Sequence, residues 1–444
     1  MAMKHLYVHI PFCRSRCAYC DFVSEPVGPH ARAGLLERYV EALRAELAGR
    51  GGDSGSRDTR ARGGQSGAAA FETIYLGGGT PTVLPPELLV GLVVDLAARL
   101  DARPKAAPPS ARAAASGTVL SAPPGGPVGA DGGGAAPRPV APEFTIEANP
   151  GTIDAALLER LAQAGVTRLS LGVQSFAPAL RAALGRRVTQ REITEAFSAV
   201  SAAGWSEWNL DLVFGIPGQT WRDAAADLDA AVAAGPTHIS LYDLTYTPVF
   251  QKRVEATVGA GARGAAGGVA EQHYAAAVAR LEAAGYRRYE VSNFALPGHE
   301  CRHNLAYWRG ENYLGIGAAA VSTVAVAAAA VSTVTVAGAV AVSTLGAERR
   351  TNPRAVADYL AGLPPAVEML SPATRLWEKA MLGLRTSEGV DEEAVLPVLD
   401  SAARDRLLAQ GCLDRRYGKL RVNPGFLDVS NTVIGTLLVS PGGP

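Results

Sequence analysis

The sequence lacks a surplus of charge of either sign. Its 444 residues include 42 Lys or Arg and 42 Asp or Glu, so the formal net charge is zero. Proteins that coat nucleic acids usually carry a basic surplus, because Lys and Arg neutralise the phosphates. We therefore expect no nucleic-acid partner for this chain.

Signals for export or membrane insertion are also missing. The first residues, MAMKHLYVHIPFC, contain no long apolar region and no cleavage signature, which predicts a cytoplasmic protein and leaves association with a membrane surface open. Residues 312–347 carry no charge, but Ala, Ser, Thr and Gly dominate, and VST recurs at 321, 331 and 342. We expect a buried strand and a repetitive insertion there rather than a membrane span.

Cysteine is scarce and odd in number. The five cysteines are residues 13, 17, 20, 301 and 412. Because three of them fall within eight residues, the pattern argues against a disulfide framework and indicates a metal site in a reducing compartment. We expect Cys412 to be a small core residue.

Strand-length apolar runs alternate with helix-length periodic segments along the chain. The predicted strands cover 6–10, 71–76, 144–148, 166–173, 210–214 and 238–244, and the predicted helices cover 35–47, 86–100, 154–163 and 221–233. Thr189 and Glu192 form a capping box that opens one more helix. About six β/α units predict a parallel sheet, either open or curled into a barrel, with function at the carboxyl ends of its strands.

Stretches of biased composition divide the chain. Residues 51–70, 102–142 and 255–270 are rich in Gly, Ala, Ser or Pro, which predicts disordered insertions, and 318–345 forms the low-complexity apolar segment. We therefore predict one domain over 1–345 and a second over 346–444. The second domain has shorter predicted elements and more charged residues, and we expect it to be mainly helical and winged-helix-like.

The three clustered cysteines follow the spacing Cys13-x3-Cys17-x2-Cys20, which lets three thiolates from one loop meet at a metal centre. Arg14 and Arg16 lie between them, and positive charge favours the thiolate. A structural zinc site would need a fourth ligand from Cys301 or a histidine. A four-cysteine iron–sulfur cluster would need a nearby fourth thiolate, but residue 22 is Phe. Three cysteines on a four-iron cluster leave one iron open to a small molecule.

CxxxCxxC after the first strand of a β/α chain resembles the signature of the radical S-adenosylmethionine (SAM) proteins. The longer string LYVHIPFCRSRCAYCDF is similar to the branch that contains oxygen-independent coproporphyrinogen III oxidase and the related haem chaperones. The resemblance covers nearly the whole chain apart from the insertions. It implies a partial (β/α)6 TIM-like barrel, a [4Fe-4S] cluster on Cys13, Cys17 and Cys20, and SAM on the open iron.

The resemblance also implies a SAM pocket. The turn Gly77-Gly78-Gly79-Thr80-Pro81 matches the family's GGGTP motif, and its glycines should let backbone N–H groups approach a ligand. The residues that match SAM-pocket positions of the family are Tyr7, Tyr19, Gly78, Gly79, Thr80, Glu147, Gln174, Arg186 and Asp211.

Two functions of different class follow from this branch. One is radical decarboxylation of coproporphyrinogen III in porphyrin biosynthesis, and the other is binding of haem and its delivery to an acceptor. The oxidase pattern has a further cysteine where this chain has Phe22, and a long extension before its cluster for which a first cysteine at residue 13 leaves no room. The segment His303–Trp308 matches the HNxxYW motif of the haem chaperone. All three features favour the carrier, while cleavage of SAM and enzymatic activity stay open.

The HNxxYW motif has chemistry that suits haem. His303 offers an imidazole to iron, Tyr307 and Trp308 offer flat apolar surface, and Asn304 completes the motif, with Cys301 as an alternative ligand. We expect haem or a porphyrin as ligand, an unidentified haem acceptor, and a reductant such as flavodoxin or ferredoxin.

Overall fold

The computed structural model describes residues 3–27, 34–50, 70–100, 142–247, 250–252, 269–327 and 345–440. Apart from residues 70, 142 and 269–270, the three predicted insertions lie outside these residues, as does most of the repetitive segment.

Strands and helices alternate through most of the described chain. The strands are β1 His5–Ile10, β2 Phe12–Cys13, β3 Glu25–Pro26, β4 Thr73–Gly78, β5 Glu143–Ala148, β6 Arg168–Gln174, β7 Trp208–Phe214, β8 His238–Asp243, β9 Arg287–Arg288, β10 Asn293–Ala295, β11 Tyr313–Ile316, β12 Val321–Ala327, β13 Leu345–Thr351, β14 Ala366–Leu370, β15 Val390–Asp391, β16 Leu413–Arg416 and β17 Lys419–Val422. The helices are α1 Leu35–Arg50, α2 Pro86–Ala97, α3 Ala155–Ala164, α4 Pro178–Ala183, α5 Gln190–Ala202, α6 Trp221–Ala234, α7 Val269–Ala283, α8 Arg302–Trp308, α9 Val356–Leu360, α10 Pro372–Gly383, α11 Glu392–Val395, α12 Ser401–Ala409 and α13 Ser430–Leu437.

Six parallel strands form the centre of a twelve-stranded sheet, whose order is β14-β13-β12-β11-β1-β4-β5-β6-β7-β8-β10-β9. Each strand from β1 to β8 in this order pairs in parallel with the next, and a helical connection joins them. This arrangement confirms the predicted α/β class and the six β/α units of a partial barrel.

Alternation along β1 explains how the barrel separates an apolar layer from a polar interior. Leu6, Val8 and Ile10 are fully buried in the main core, together with side chains of the surrounding helices. The intervening residues His5 and Tyr7 point to the other face, where their side chains contact polar and aromatic groups. The polar face is therefore available for chemistry inside the barrel.

Helix starts in the barrel follow the capping signals of the sequence. Thr189 accepts the backbone N–H of Glu192 and the Glu192 carboxylate accepts that of Thr189, which confirms the predicted capping box of α5. Asp154 caps α3 through the N–H of Leu157. These caps fix where α3 and α5 begin.

The sheet continues beyond the domain boundary that we predicted at residue 345. Strand β13 pairs antiparallel with β12 over its whole length, and β14 then pairs with β13 up to Leu370. The sequence analysis did not predict β13, because its charged residues interrupt the apolar pattern that identifies a strand.

A second core begins with α10. It contains Ala380, Leu384, Val390 and Leu420 among others, and it joins short helices to the three-stranded antiparallel sheet β15-β17-β16. The small helical C-terminal domain is thus present, and its winged-helix-like character stays a prediction. None of the described helices combines the length and apolar character needed to cross a membrane.

Candidate functional site

The three clustered cysteines lie in the loop after β1, at the carboxyl end of the parallel strands. All three are free and half-buried. The loop folds back on itself, because the backbone N–H of Val27 donates to the carbonyl of Cys13 at 2.8 Å. A single loop therefore carries the whole set of thiols to the rim of the barrel, where the sheet's polar interior opens.

The charge around these thiols matches the sequence expectation only in part. Burial is the largest influence on Cys13 and Cys20 and raises the pKa of both thiols. Arg14 is not beside them: its side chain is 61% exposed and lies 3.9 Å from Glu192. The nearest buried cation is Arg186, whose Nη1 donates to Cys17 Sγ at 3.8 Å. The long Arg14 side chain turns to solvent, whereas the charge of Arg16 lowers the pKa of Cys20, as the sequence analysis expected.

The donor set fits an iron–sulfur cluster. Within the described residues, no three His, Cys, Asp or Glu side chains come close enough together to hold a single metal ion. A four-iron cluster does not need such convergence, since each thiolate binds a different iron. Three free thiols on one loop, beside a buried guanidinium, supply ligands for three irons.

The glycine turn after β4 holds the cysteine loop in place. The N–H of Gly79 donates to the carbonyl of Ile10 at 2.8 Å, and the N–H of Thr80 donates to that of Phe12 at 2.7 Å. A Cβ on Gly79 would lie 2.6 Å from the Phe12 carbonyl oxygen, so only glycine fits. This corrects our expectation that the turn offers these N–H groups to a ligand, because the protein already uses them.

Glu147, at the end of β5, lies against the same turn. Its carboxylate accepts the N–H of Gly78 at 2.9 Å and the hydroxyl of Tyr75 at 2.8 Å. A Cβ on Gly77 would come within 2.7 Å of the carboxyl carbon, so the glycine makes room for it. Burial raises the pKa of Glu147 to about 7, which makes this carboxyl titratable near neutral pH.

Tyr7 supports the loop from inside the barrel. The imidazole of His9 must donate from Nε2 to the carbonyl of Val23, 2.9 Å away, because a carbonyl only accepts. Its Nδ1 therefore accepts the hydroxyl of Tyr7 at 2.9 Å. Val23 follows the third cysteine, so this chain of bonds ties both ends of the loop to β1.

Arg186 and Asp211 bring charge to the site. The Arg186 guanidinium donates from Nη2 to Asn149 Oδ1 at 2.6 Å and also to the carbonyl of Gly172. Asp211 accepts the side-chain amide of Asn209 at 2.6 Å, and burial raises its pKa. A cation from the loop after α4 and a carboxyl within β7 thus lie close enough to interact electrostatically.

Gln174 and Tyr19 complete the predicted set. Gln174 ends β6 with a φ of 72°, at an irregularity in its pairing with β7, and its side chain is buried. This left-handed backbone is strained for a residue with a side chain, and such strain is typical of functional positions. Tyr19 packs in a small apolar cluster with Leu184 and Val213. Seven of the nine SAM candidates lie on strand ends, turns and loops at this end of the barrel, whereas Tyr7 and Asp211 lie within β1 and β7. Contact of all nine with SAM stays a prediction.

Asn149 is a site residue that the sequence analysis missed. Its Oδ1 accepts from Arg186, and its Nδ2 donates to Thr80 Oγ1 at 2.6 Å. It stands two positions after Glu147 in the same motif, which was the available signal.

The haem motif lies at the opposite end of the barrel. Glu143 opens β5, and its carboxylate accepts the backbone N–H of Arg302 at 3.0 Å and of His303 at 2.9 Å. Helix α8 is therefore capped against the amino ends of the strands. The structure does not bring His303 and the cysteine loop together.

His303 is the last member of a buried chain of hydrogen bonds. Glu311 accepts from His5 Nε2 at 3.0 Å, His5 Nδ1 lies 2.9 Å from Thr73 Oγ1, and that hydroxyl lies 2.7 Å from His303 Nδ1. His303 is only 1% exposed, and burial lowers its pKa to about 3. Its Nε2 has no hydrogen-bond partner in the described part of the chain.

The other members of the motif differ in exposure. Tyr307 packs its ring 5.1 Å from that of His303 and 4.3 Å from that of Tyr313, and Asn304 and Trp308 are half-buried. Cys301 is buried, with Sγ 3.5 Å from Glu143, and burial raises its pKa to about 12. Burial therefore favours the neutral thiol of Cys301 in the absence of iron, and its role as an alternative iron ligand stays a prediction.

Comparison with known proteins bears on the family of this chain. Residues 7–231 match the Radical SAM superfamily. The chain is 32% identical to the haem chaperone HemW of Synechocystis over 91% of this chain and 82% of the relative. It is 31% identical to HemW of Mycobacterium tuberculosis (strain H37Rv) over 98% of this chain and 94% of the relative.

A solved structure shares the fold. The coproporphyrinogen III oxidase HemN from Escherichia coli, described as a radical SAM enzyme, superposes with a TM-score of 0.68. That match covers 98% of this chain and 90% of the oxidase at 19% sequence identity, and at that identity it speaks for the fold alone. On the family match and the extent of the HemW likeness, the chain belongs to the radical SAM superfamily and, within it, to the HemW family.

Proposed function

We propose that this chain is a haem chaperone that binds a [4Fe-4S] cluster, SAM and haem, and passes haem to an acceptor protein. The observation that carries the proposal is the likeness to HemW, which extends over 91% of the chain at 32% identity. The site supports it, because Cys13, Cys17 and Cys20 provide three thiolates and leave one iron of a cubane for SAM.

The side chains around the loop suit the polar groups of SAM. When bound, the cluster supplies one-electron reduction in this superfamily. SAM carries a carboxylate, an amino group and ribose hydroxyls. The Arg186 guanidinium offers a positive charge to the SAM carboxylate. The carboxylates of Glu147 and Asp211 offer acceptors to the amino group and the ribose hydroxyls.

Haem binding through His303 has one supporting observation. The imidazole is neutral and ends in a buried Nε2 without a partner, and an orphaned nitrogen of this kind is costly unless a ligand uses it. Access to it requires that helix α8 moves away from Glu143 and Thr73, because His303 is buried. Tyr307 and Trp308 lie on the same helix, so this movement would present them to the macrocycle.

The alternative is coproporphyrinogen III decarboxylation, the other function that the sequence resemblance implies. The oxidase pattern places a further cysteine where this chain has Phe22. Phe22 stands two residues after Cys20, and its side chain is 65% exposed. A phenylalanine at this position offers no thiolate. We therefore favour the carrier.

The discriminating experiment incubates the anaerobically reconstituted chain with coproporphyrinogen III, SAM and dithionite, with the E. coli oxidase as positive control. We expect no protoporphyrinogen IX from this chain under conditions in which the oxidase converts its substrate. Formation of protoporphyrinogen IX would overturn the carrier and establish the alternative. A variant with Cys13, Cys17 and Cys20 replaced by Ala shows whether any product depends on the cluster.

The proposed partners follow from the same chemistry. A reducible cluster needs a one-electron donor, and we assign this role to a flavodoxin or ferredoxin in the cytoplasm. Haem delivery needs an acceptor haem protein. Reduction of the cluster by a purified flavodoxin system, followed by electron paramagnetic resonance, tests the donor.

A further inference from the structure

We infer that Asn149 is a positioning residue that relays a hydrogen bond from the buried Arg186 guanidinium through Thr80 to the cluster ligand Cys13. The same guanidinium donates directly to Cys17, so one cation would support two of the three cluster thiolates. This inference rests on the proposed cluster and assigns a role to a residue outside the predicted SAM set.

The contacts form a continuous path between two cysteines. Arg186 Nη1 lies 3.8 Å from Cys17 Sγ, and Nη2 lies 2.6 Å from Asn149 Oδ1. Asn149 Nδ2 lies 2.6 Å from Thr80 Oγ1, and that oxygen lies 3.5 Å from Cys13 Sγ. The three linking side chains come from separate segments, after β4, after β5 and after α4.

Donor and acceptor chemistry fixes the direction of every bond on this path. A guanidinium has only donors, so the oxygen of the Asn149 amide must face Arg186. The amide nitrogen then faces Thr80 and has only protons to offer, so Thr80 Oγ1 accepts. The hydroxyl proton of Thr80 is left free to point at Cys13 Sγ, which is the correct polarity for a thiolate ligand.

Burial makes the path effective. Thr80 is buried, and the guanidinium lies inside the protein with its Nε unpartnered among the described residues. Hydrogen bonds and positive charge near cluster sulfurs stabilise the reduced, more negative state of an iron–sulfur cluster. We therefore expect the path to raise the reduction potential of the cluster.

Four variants of the full chain, reconstituted without SAM, test the relay. Thr80→Val removes the hydroxyl, while Thr80→Ser keeps it. Asn149→Asp keeps the shape but replaces the donor by a carboxylate oxygen, which draws the Thr80 proton away from Cys13. Thr82→Val is the matched control, because this buried threonine pairs its hydroxyl with Thr152 at 2.6 Å.

The readouts are the midpoint potential from an electron paramagnetic resonance titration and the iron content per chain. We expect a more negative potential in T80V and N149D, and wild-type values in T80S and T82V. Both substitutions act on the same hydrogen bond, from the Thr80 hydroxyl to Cys13 Sγ. The shift in midpoint potential of the double variant T80V/N149D should therefore be smaller than the sum of the two single shifts.

The outcomes separate this inference from the proposed function. An unchanged potential in T80V at wild-type iron content would overturn the relay and leave the cluster proposal intact. Equal shifts in T80V and T82V would also overturn it, since they would reflect general disturbance. A wild-type chain that takes up no cluster would overturn both. If T80V retains too little iron to titrate, the midpoint potential of N149D is compared with those of T80S and T82V. A more negative potential in N149D supports the relay, and equal potentials in the three variants overturn it.

Discussion

The carboxylate of Glu147 accepts the backbone N–H of Gly78 at 2.9 Å, which joins the end of β5 to the turn that holds the cysteine loop. The same carboxyl accepts the hydroxyl of Tyr75 at 2.8 Å. Burial nevertheless outweighs these bonds and raises the pKa of Glu147 to about 7. A predicted SAM-pocket residue is therefore poised between two protonation states at neutral pH.

This pKa predicts a pH dependence of SAM binding. If the ionised carboxylate accepts hydrogen bonds from SAM, binding strengthens as pH rises through about 7. We expect affinity about tenfold weaker at pH 6 than at pH 8, the ratio that one titrating group produces. Equilibrium dialysis at several pH values measures this dependence.

Glu147→Gln is the matched variant for that measurement, because it keeps the shape and cannot titrate. Its affinity for SAM should lose the wild-type dependence on pH across 7. An identical pH profile in wild type and variant would show that another group controls binding.

The glycine turn predicts a specific loss of cluster. In Gly79→Ala, the new Cβ would meet the backbone oxygens of Phe12 and Ile10 at 2.6 and 2.8 Å, so the cysteine loop must shift. We expect the variant to fold but to lose most of its bound iron on reconstitution, measured by iron and sulfide analysis. Gly91→Ala, in α2, meets only the flexible end of Arg44 at 3.4 Å and should retain iron. Full iron content in G79A would refute the loop-holding role.

Thr73 predicts a loss of stability. Its hydroxyl oxygen lies 2.9 Å from His5 Nδ1 and 2.7 Å from His303 Nδ1. Thr73→Val therefore leaves these two buried ring nitrogens without a partner. Each unsatisfied group costs about 1–3 kcal/mol of unfolding free energy. Urea denaturation should show this loss in T73V and a much smaller one in T73S, which keeps the hydroxyl. Equal stability of T73V and wild type would mean that the chain of bonds contributes nothing.

His303→Ala tests the haem ligand. We expect a displaced Soret band and weaker haem binding in this variant. His299→Ala is the control, because His299 is half-buried and pairs with Glu207 at 2.8 Å. An unchanged Soret spectrum and affinity in H303A would remove His303 from the haem site.

The parallel barrel could be predicted because its signals are local. Alternation in the LYVHI segment and the Thr189 capping box each depend on residues a few positions apart, and the structure has the strand and the helix there. The repetitive segment gave no such signal, and the strand Leu345–Thr351 beyond it was missed.

The relations within the site could not be predicted, because they join distant residues. Asn149 contacts Thr80 across 69 positions and Arg186 across 37. The direction of the Arg14 side chain and the use of the Gly79 N–H by Ile10 also depend on packing. Sequence motifs supplied the candidate residues, and the fold decided which partners they contact.

Titration of the cluster-reconstituted, SAM-supplied chain with haem, followed at the Soret band, tests the central claim most directly. The account predicts saturation at a single haem per chain, with a Soret band displaced from that of free haem. Absorbance that rises without saturation and matches free haem throughout would contradict it.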